Sequence, residues 1–340
     1  MTDVTTWVER LWDGDPRGGR GVVSVVLLPL SAIFRIGVAL RTFLFDTRLL
    51  RSHPPPIPVV SVGNLTVGGT GKTPVAAWLA GACLSRGVRP AVVLRGYGGD
   101  EVVLHERWTP GAHVVADADR RSALLRAVEA GAAVAILDDG FQHRRLERHL
   151  DLVLIAAEDP FPGRLLPAGR RREPVSALGR ADLVIITRKS TPVGRSEALE
   201  GEIHASFPEL DVARIHLRPY RMRTLADWMA GVTGMREAEG PFRVAAGVAR
   251  PETVAAGVRA LGHDVVSTIG FPDHHRYTRG EIHRLREGTY PLVVTEKDAV
   301  KIARFAPDAR DIRVLEQEVV VEAGAGMLES VVDTLVGEAS

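Results

Sequence analysis

The chain contains a single cysteine, Cys83, among its 340 residues. One cysteine cannot form an intrachain disulfide, so a disulfide-stapled secreted scaffold is excluded and a reducing compartment is favoured. Lysine is scarce too, because the basic residues are overwhelmingly arginine and only four lysines occur: Lys72, Lys189, Lys297 and Lys301. Each lysine is therefore worth inspecting as a candidate functional residue.

Other absences narrow the class of protein further. The net charge is only +1, from 43 basic and 42 acidic residues, so no overall attraction to nucleic acid is expected. No secretory signal is recognisable, because acidic residues and tryptophan precede the first apolar run and no convincing cleavage site follows it. The apolar content of 45% is ordinary for a soluble globular protein, and the length allows two domains.

The first apolar run, residues 21–45, is interrupted by one proline and two arginines. Its uncharged part is shorter than the roughly 20 residues that a membrane-spanning helix needs. Arginines lie at its edges, and the one acid between residues 16 and 53 is Asp46. This pattern favours a segment, residues 1–50, whose helix lies on an anionic membrane surface. An ordinary buried helix is the alternative, and a spanning helix is less favoured.

From residue 57 onward, strand-like and helix-like patterns alternate. Strands are predicted near 57–62, 91–95, 113–116, 133–137, 152–156 and 183–187, with helices near 72–86, 119–130 and 196–205 among them. This alternation predicts an α/β fold with a doubly wound, mostly parallel sheet. The glycine-rich loop described below makes the expected fold P-loop NTPase-like. We expect a nucleotide-binding domain over 51–215, and a smaller α/β domain over 216–340 joined to it by a strand-like hinge.

The stretch VSVGNLTVGGTGKTPVAAWL places a glycine-rich turn between a strand pattern and a helix pattern. It ends like the phosphate-binding template G-x-x-x-x-G-K-S/T, although Thr66 replaces the first glycine. Lys72 is expected to reach the β- and γ-phosphates, and the Thr73 hydroxyl to ligate Mg²⁺. A glycine-rich turn that binds nothing is the alternative. The residues predicted to cradle phosphate are Gly68, Gly69, Thr70, Gly71, Lys72 and Thr73.

A pair of acids gives a second marker of a phosphate site. Asp138 and Asp139 directly follow the apolar run AVAIL. An acid at the carboxyl end of a parallel strand beside a phosphate loop is where P-loop enzymes hold Mg²⁺. A helix cap or turn is the alternative interpretation of these acids. Together, the loop and the acids predict that the protein binds a nucleoside triphosphate and Mg²⁺.

Two other classes of P-loop protein fit the sequence less well. A guanine-specific switch is expected to carry N-K-x-D, which the residues TEKD at 295–298 do not match. A partitioning-type ATPase carries a lysine just before the first glycine of its loop, where this chain has Val67. A membrane-associated ATPase switch of the partitioning or targeting type remains the second hypothesis.

Several motifs, in this order, resemble those of the tetraacyldisaccharide 4′-kinase family: PVVSVGNLTVGGTGKTP, LRGYGG, DDGFQHRRLERHLDLVLI, LLPAGRRREP, RADLVIITR, GVARPETV, FPDHHRYT and TEKDAVK. The resemblance extends from about residue 25 to about residue 302. It implies an ATP-dependent kinase that phosphorylates the 4′-hydroxyl of tetraacyldisaccharide 1-phosphate and forms lipid IVA, a lipid A precursor. It also implies a lipid substrate and a location on the cytoplasmic face of the bacterial inner membrane.

The resemblance assigns two further catalytic residues besides Lys72. The family's catalytic acid, in a GDE motif, corresponds to Asp100, although fewer residues than usual separate it from GYGG. The partner histidine, in an FPDHH-like motif, corresponds to His274, with His275 as the competing candidate. A carboxylate held by an imidazole can accept the proton of a sugar hydroxyl near neutral pH. Because the two lie in different predicted domains, we expect them to meet when the cleft closes.

Other motif residues receive weaker assignments. The arginine runs 144–148 and 170–172 are either contacts to lipid head groups or substrate phosphate, or solvated loop charges. Oligomeric state and acyl-chain preference are not predictable from the sequence. Residues that match family motifs, with a structural alternative or no assigned role, are Asp119, Arg120, Gln142, His143, Lys297 and Asp298.

Overall fold

The computed structural model describes residues 22–96, 99–232, 240–273 and 275–339, with side chains from residue 27 onward. Its first part contains α1 (Val22–Asp46), β1 (Val59–Asn64), α2 (Lys72–Ser85), β2 (Pro90–Leu94), α3 (Asp100–Trp108), β3 (His113–Ala116), α4 (Arg120–Glu129), β4 (Val134–Asp138), β5 (Leu150–Ala156), a 3₁₀ helix (Val175–Arg180), β6 (Leu183–Arg188) and α5 (Val193–Ser206).

The second part contains β7 (Asp211–Thr224), α6 (Leu225–Met229), β8 (Phe242–Ala246), α7 (Pro251–Ala260), β9 (Val265–Gly270), α8 (Arg279–Arg286), β10 (Leu292–Thr295), α9 (Glu296–Ile302), β11 (Ile312–Ala323) and α10 (Ala325–Glu338). We call β1–β6 with α2–α5 the first lobe, and β8–β10 with α6–α9 the second lobe. The long strands β7 and β11 join the two lobes.

All the described strands form one sheet, in the order β3-β2-β4-β1-β5-β6-β7-β11-β10-β8-β9. Neighbouring strands are parallel except for β7 and β11, which pair antiparallel. The inner strands β1, β2 and β4 are completely buried, as expected for a parallel sheet covered by helices on both faces. The predicted α/β class with a mostly parallel sheet is therefore confirmed. Strand order reverses beside β1, and ligands of such sheets bind outside the carboxyl ends at that point.

Two features of the fold bear on the predicted division at residues 215 and 216. Strand β7 runs through this position without interruption, as a linker shared by both lobes. Helix α10 returns to the first lobe, where Leu328 and Leu335 pack in one core with Val60 and Leu79. The two-domain division with a hinge stays a prediction, and the last helix packs with the first of the two units.

A buried carboxylate contacts residues of both lobes. Glu296, the first residue of α9, accepts hydrogen bonds at Oε1 from Nε1 of Trp108 (2.9 Å) and of Trp228 (3.4 Å). Burial raises the pKa of Glu296 to about 7, although the two indole donors act in the opposite direction. The charged form of Glu296 is therefore disfavoured in the folded protein.

We expect Glu296→Gln to change how stability depends on pH. A folded-state pKa above the unfolded value contributes stability that is complete below pH ~4.3 and is lost as pH rises through about 7. Glutamine keeps an oxygen acceptor for the indoles but cannot ionise. As pH rises from 4.5 to 8, wild type should therefore lose up to about 3 kcal/mol of its free energy of unfolding that the variant keeps. Urea denaturation at several pH values measures this, and parallel pH profiles would contradict it.

Candidate active site

The glycine-rich turn between β1 and α2 has the backbone shape that its sequence predicts. Gly68 (φ 124°) and Gly71 (φ 87°) occupy left-handed or related positive-φ conformations that other residues rarely adopt. The side chain of Asn64 donates to Thr70 Oγ1 (3.0 Å), and the Thr187 hydroxyl donates to the Thr70 carbonyl (2.9 Å). The loop is thus held at the N-terminus of α2, where N–H groups and the helix dipole favour an anion.

Lys72 and Asp139 lie together at the mouth of this loop. Lys72 Nζ is 3.4 Å from Asp139 Oδ1, and Arg172 Nη1 donates to both Asp139 oxygens at 2.9 Å. Burial alone would raise the pKa of Asp139, but Lys72 and Arg172 outweigh it and hold the pKa at about 2. Asp139 is therefore ionised at neutral pH. The loop lysine and this acid lie next to each other, as the sequence predicts.

Asp138 is held from two sides by residues of the first lobe. Its Oδ2 lies 3.0 Å from Nε2 of the fully buried His105, and Arg120 Nη2 donates to its carbonyl at 3.1 Å. His105 was not among the residues predicted from the sequence. Its position on α3, a helix that the hydrophobic pattern does not predict, leaves no local signal that would have identified it.

The donor set near the loop fits Mg²⁺ in type. Thr73 lies in the first turn of α2, Asp138 is the last residue of β4 and Asp139 follows it, so all three offer oxygen ligands. Among the described residues there is no cluster of three or more His, Cys, Asp or Glu side chains able to hold a metal alone. Magnesium is commonly held by one or two carboxylates together with substrate phosphates, so such a cluster is not required.

Asp100 is completely buried at the start of α3 and faces the second lobe. Its Oδ2 lies 3.3 Å from Lys301 Nζ of α9. Its neighbour Glu101 lies 3.6 Å from Lys297 Nζ. Burial, with Asp138 adding repulsion, raises the pKa of Glu101. The acidic pair is thus enclosed between the lobes.

The predicted catalytic histidine, His274, lies outside the described residues. Its neighbour Asp273 shares the Lys297 ammonium with Glu101, at 3.8 and 3.6 Å. Asp273, which precedes His274, therefore lies close to Glu101, which follows Asp100. The competing candidate, His275, stacks on Phe271 (4.6 Å between ring centres) and places Nε2 3.4 Å from Glu281 within its own lobe. The pairing of Asp100 with His274 stays a prediction.

The weaker candidates divide into structural and site-lining residues. Asp119 caps α4 by accepting from the Arg121 and Ser122 amides, so the capping interpretation describes it. Gln142 donates to the Asn64 carbonyl at 2.8 Å, beside the phosphate loop. Burial, with Arg120 next in effect, lowers the pKa of His143 to about 4.

The arginine runs are also divided between these two roles. Arg172 reaches Asp139 at the site, whereas Arg148 forms an ion pair with Asp151 (2.6 Å) away from it. Arg144 pairs with Asp46 of α1 at 2.7 Å. Lys297 and Asp298, which had no assigned role, both lie on α9. Lys297 contacts Glu101 of the first lobe, whereas the buried Asp298 accepts from the Gly247 amide within the second lobe.

Comparison with known families supplies the identification. The family model described as tetraacyldisaccharide-1-P 4′-kinase (LpxK) matches residues 23–101 and 98–336. The chain belongs to this kinase family. The two matched stretches overlap at residues 98–101, which include Asp100.

Individual kinases of the family cover nearly the whole chain. A tetraacyldisaccharide 4′-kinase of Anaeromyxobacter dehalogenans is 38% identical and covers 96% of this chain and 94% of its own length. That of Syntrophus aciditrophicus is 36% identical over 86% of this chain and 88% of its own. A crystal structure of LpxK from Aquifex aeolicus in complex with ATP superimposes with a TM-score of 0.67, at 26% identity, covering 91% of this chain and 98% of that one.

Proposed function

We propose that this chain transfers the γ-phosphate of ATP to the 4′-hydroxyl of tetraacyldisaccharide 1-phosphate and forms lipid IVA, with ADP as the other product. The observation that carries the proposal is the phosphate loop with Lys72 facing Asp139, in a chain 38% identical to a tetraacyldisaccharide 4′-kinase. A second lobe that packs against Asp100 and Glu101 fits a kinase with two substrates better than an ATPase switch.

The residues divide the work by their positions. Backbone N–H groups of the loop and Lys72 bind the β- and γ-phosphates, and Asp100 accepts the proton of the attacking hydroxyl, with His274 as its partner. Thr73, Asp138 and Asp139 would hold Mg²⁺, which would supply neutralisation of phosphate charge when bound. Positioning and charge stabilisation account for most of the rate, because a phosphoryl group in transfer needs little covalent assistance.

The deciding experiment is a transfer assay with purified protein, Mg·ATP and the lipid disaccharide in detergent. Mass spectrometry of the lipid should show the gain of one phosphate, matched by formation of ADP. ATP hydrolysis without phosphorylated lipid would instead favour the ATPase switch. A transfer of phosphate to another position of the sugar, distinguishable by NMR, would correct the regiochemistry.

The N-terminal helix supports a membrane-surface location for this reaction. Apolar side chains of α1 are exposed, including Ile33 (65%), Ile36 (67%) and Phe43 (57%). Residues Leu27–Asp46 are long and apolar enough to span a membrane, and only 6% of the 18-residue apolar window within this stretch is buried in the protein. An ordinary buried helix therefore does not describe it. We propose that α1 rests on the cytoplasmic face of the inner membrane with its apolar side in the lipid.

Two contacts of α1 with loops beside the phosphate site support this proposal. Ser31 Oγ donates to the Leu165 carbonyl (2.9 Å), and Arg41 Nη2 donates to the carbonyl of Gln142 (2.6 Å). Gln142 in turn contacts the Asn64 carbonyl at the start of the phosphate loop. A lipid acceptor held beside α1 therefore has a short path to the phosphate loop.

Replacing Ile33 and Ile36 by serine should weaken membrane binding. Both side chains are mostly exposed, so the folded protein should keep its stability and its ATP affinity. Co-sedimentation with anionic phospholipid vesicles should show at least a several-fold lower bound fraction. Serine at Leu125 and Val266, which are 45% and 49% exposed elsewhere, is the matched control. Equal loss in both variants, or none in the first, would remove the membrane role of α1.

A further inference from the structure

Helix α9 carries two of the four lysines of the chain, Lys297 and Lys301. They are four residues apart, so they lie on the same face of the helix, one turn from each other. That face meets the start of α3, where Lys301 Nζ lies 3.3 Å from Asp100 and Lys297 Nζ lies 3.6 Å from Glu101. Two adjacent carboxylates of the first lobe are therefore matched by two cations of the second lobe.

The pair between Lys301 and Asp100 is the more enclosed of the two. Asp100 is completely buried, and the Lys301 side chain is only 12% exposed. A carboxylate removed from water is strongly disfavoured unless a cation or donors compensate it. An ammonium is also a compact point charge, whereas guanidinium is a broad planar group. Lysine at this position, in a chain that otherwise uses arginine, fits a narrow buried contact.

The helix that carries both lysines is itself held in place by several contacts. Thr295 caps α9, and Asp298 Oδ2 accepts from the Thr295 hydroxyl (2.7 Å) and from the Gly247 amide (3.1 Å). Helix α3 is held as well, because its Leu104 packs in the core of the second lobe. The positions of the two ammonium groups relative to α3 are thus determined by packing on both helices.

We propose that Lys301 is a positioning residue for phosphoryl transfer, which holds the Asp100 carboxylate in one orientation from the second lobe. Lys297 does the same for Glu101 and also contacts Asp273, next to His274. The proton-accepting group is then complete only where α9 packs against α3. This inference rests on the proposed role of Asp100 as the base.

Lys301→Met should reduce kcat on the order of 10²-fold, which is the cost of misplacing a reacting group by about 1 Å. The Kd for ATP, measured by calorimetry, should change by less than about threefold, because the phosphate loop is built by other residues. Lys301→Arg, which keeps the charge, should recover part of the lost kcat. Arg259→Met removes an exposed cation of the same lobe and should leave kcat unchanged.

A double-mutant cycle separates positioning from a general structural role. In an Asp100→Asn background, Lys301→Met should lower kcat by less than about threefold further, because its effect acts through Asp100. The same 10²-fold loss in both backgrounds would overturn the proposal. So would a parallel loss of kcat, ATP affinity and thermal stability that arginine does not repair.

A second variant and the wild-type control make the result unambiguous. Should Lys301→Met fail to fold, Lys297→Met tests the same face, since its side chain is 22% exposed, and unchanged kcat there would contradict the proposal. Wild type that forms no phosphorylated lipid would refute the proposed function itself. Wild type that is active beside a fully active Lys301→Met would refute only the role of Lys301.

Discussion

Lys72→Ala is expected to abolish phosphoryl transfer while the protein remains folded. Lys72 begins α2 and faces Asp139 across the phosphate loop at 3.4 Å. In the proposed reaction, its ammonium neutralises charge that develops between the β- and γ-phosphates. Removing one such electrostatic contact typically costs 10²–10³-fold in kcat, and cations on the transferred phosphoryl group more. We therefore expect a loss on the order of 10³-fold or greater.

The loss should appear in both single-turnover transfer and ATP affinity, measured with Mg²⁺ present. Stability should change little, because Asp139 keeps Arg172 as a partner at 2.9 Å. Arg86→Ala is the matched control, since it removes a cation and an exposed ion pair with Asp333 at the other end of α2. Turnover near the wild-type rate in Lys72→Ala would refute the phosphate-loop assignment.

The second large effect is expected for Asp100→Asn. Asparagine has the same shape but cannot accept the proton of the sugar hydroxyl, so kcat should fall by about 10²–10⁴-fold. The Kd for ATP should stay close to that of wild type, because Asp100 lies on α3, whereas the phosphate loop leads into α2. Comparing kcat with the Kd for ATP therefore distinguishes a catalytic from a binding role.

Stability has to be followed in the same variant. Asp100→Asn leaves the nearly buried Lys301 without its anion, which costs roughly 3 kcal/mol in comparable buried pairs. Asp117→Asn, which removes an acid from a surface pair with Arg126, is the matched control. If Asp100→Asn loses stability but keeps kcat in the fraction that is folded, Asp100 is a structural acid and not the base.

The phosphate loop and the sheet were predictable because local rules specify them. Gly68 and Gly71 are required by positive φ, and the strand before them and helix after them follow from apolar patterns. Parallel strands bring their carboxyl ends to one edge, so the neighbourhood of Lys72 and Asp139 also followed from the sequence. Most predicted element bounds lie within two or three residues of the observed ones.

Two helices of the site were not predicted. Helices α3 and α9 have only nine and seven residues, and α9 follows β10 with no connecting residue. Segments this short have weak periodicity and little intrinsic helix stability, so tertiary contacts stabilise them. They are nevertheless the helices that carry Asp100, His105, Lys297 and Lys301.

By itself, the sequence determined the fold class, the phosphate loop, the acids beside it and the apolar character of the first helix. Those features depend on backbone conformation and on periodic burial, which act over a few neighbouring residues. Only the tertiary structure decided that His105 contacts Asp138, that Lys301 contacts Asp100 and that α1 exposes its apolar side. Such contacts join residues that are distant along the chain, and the packing of the lobes selects them from many possible charge pairs.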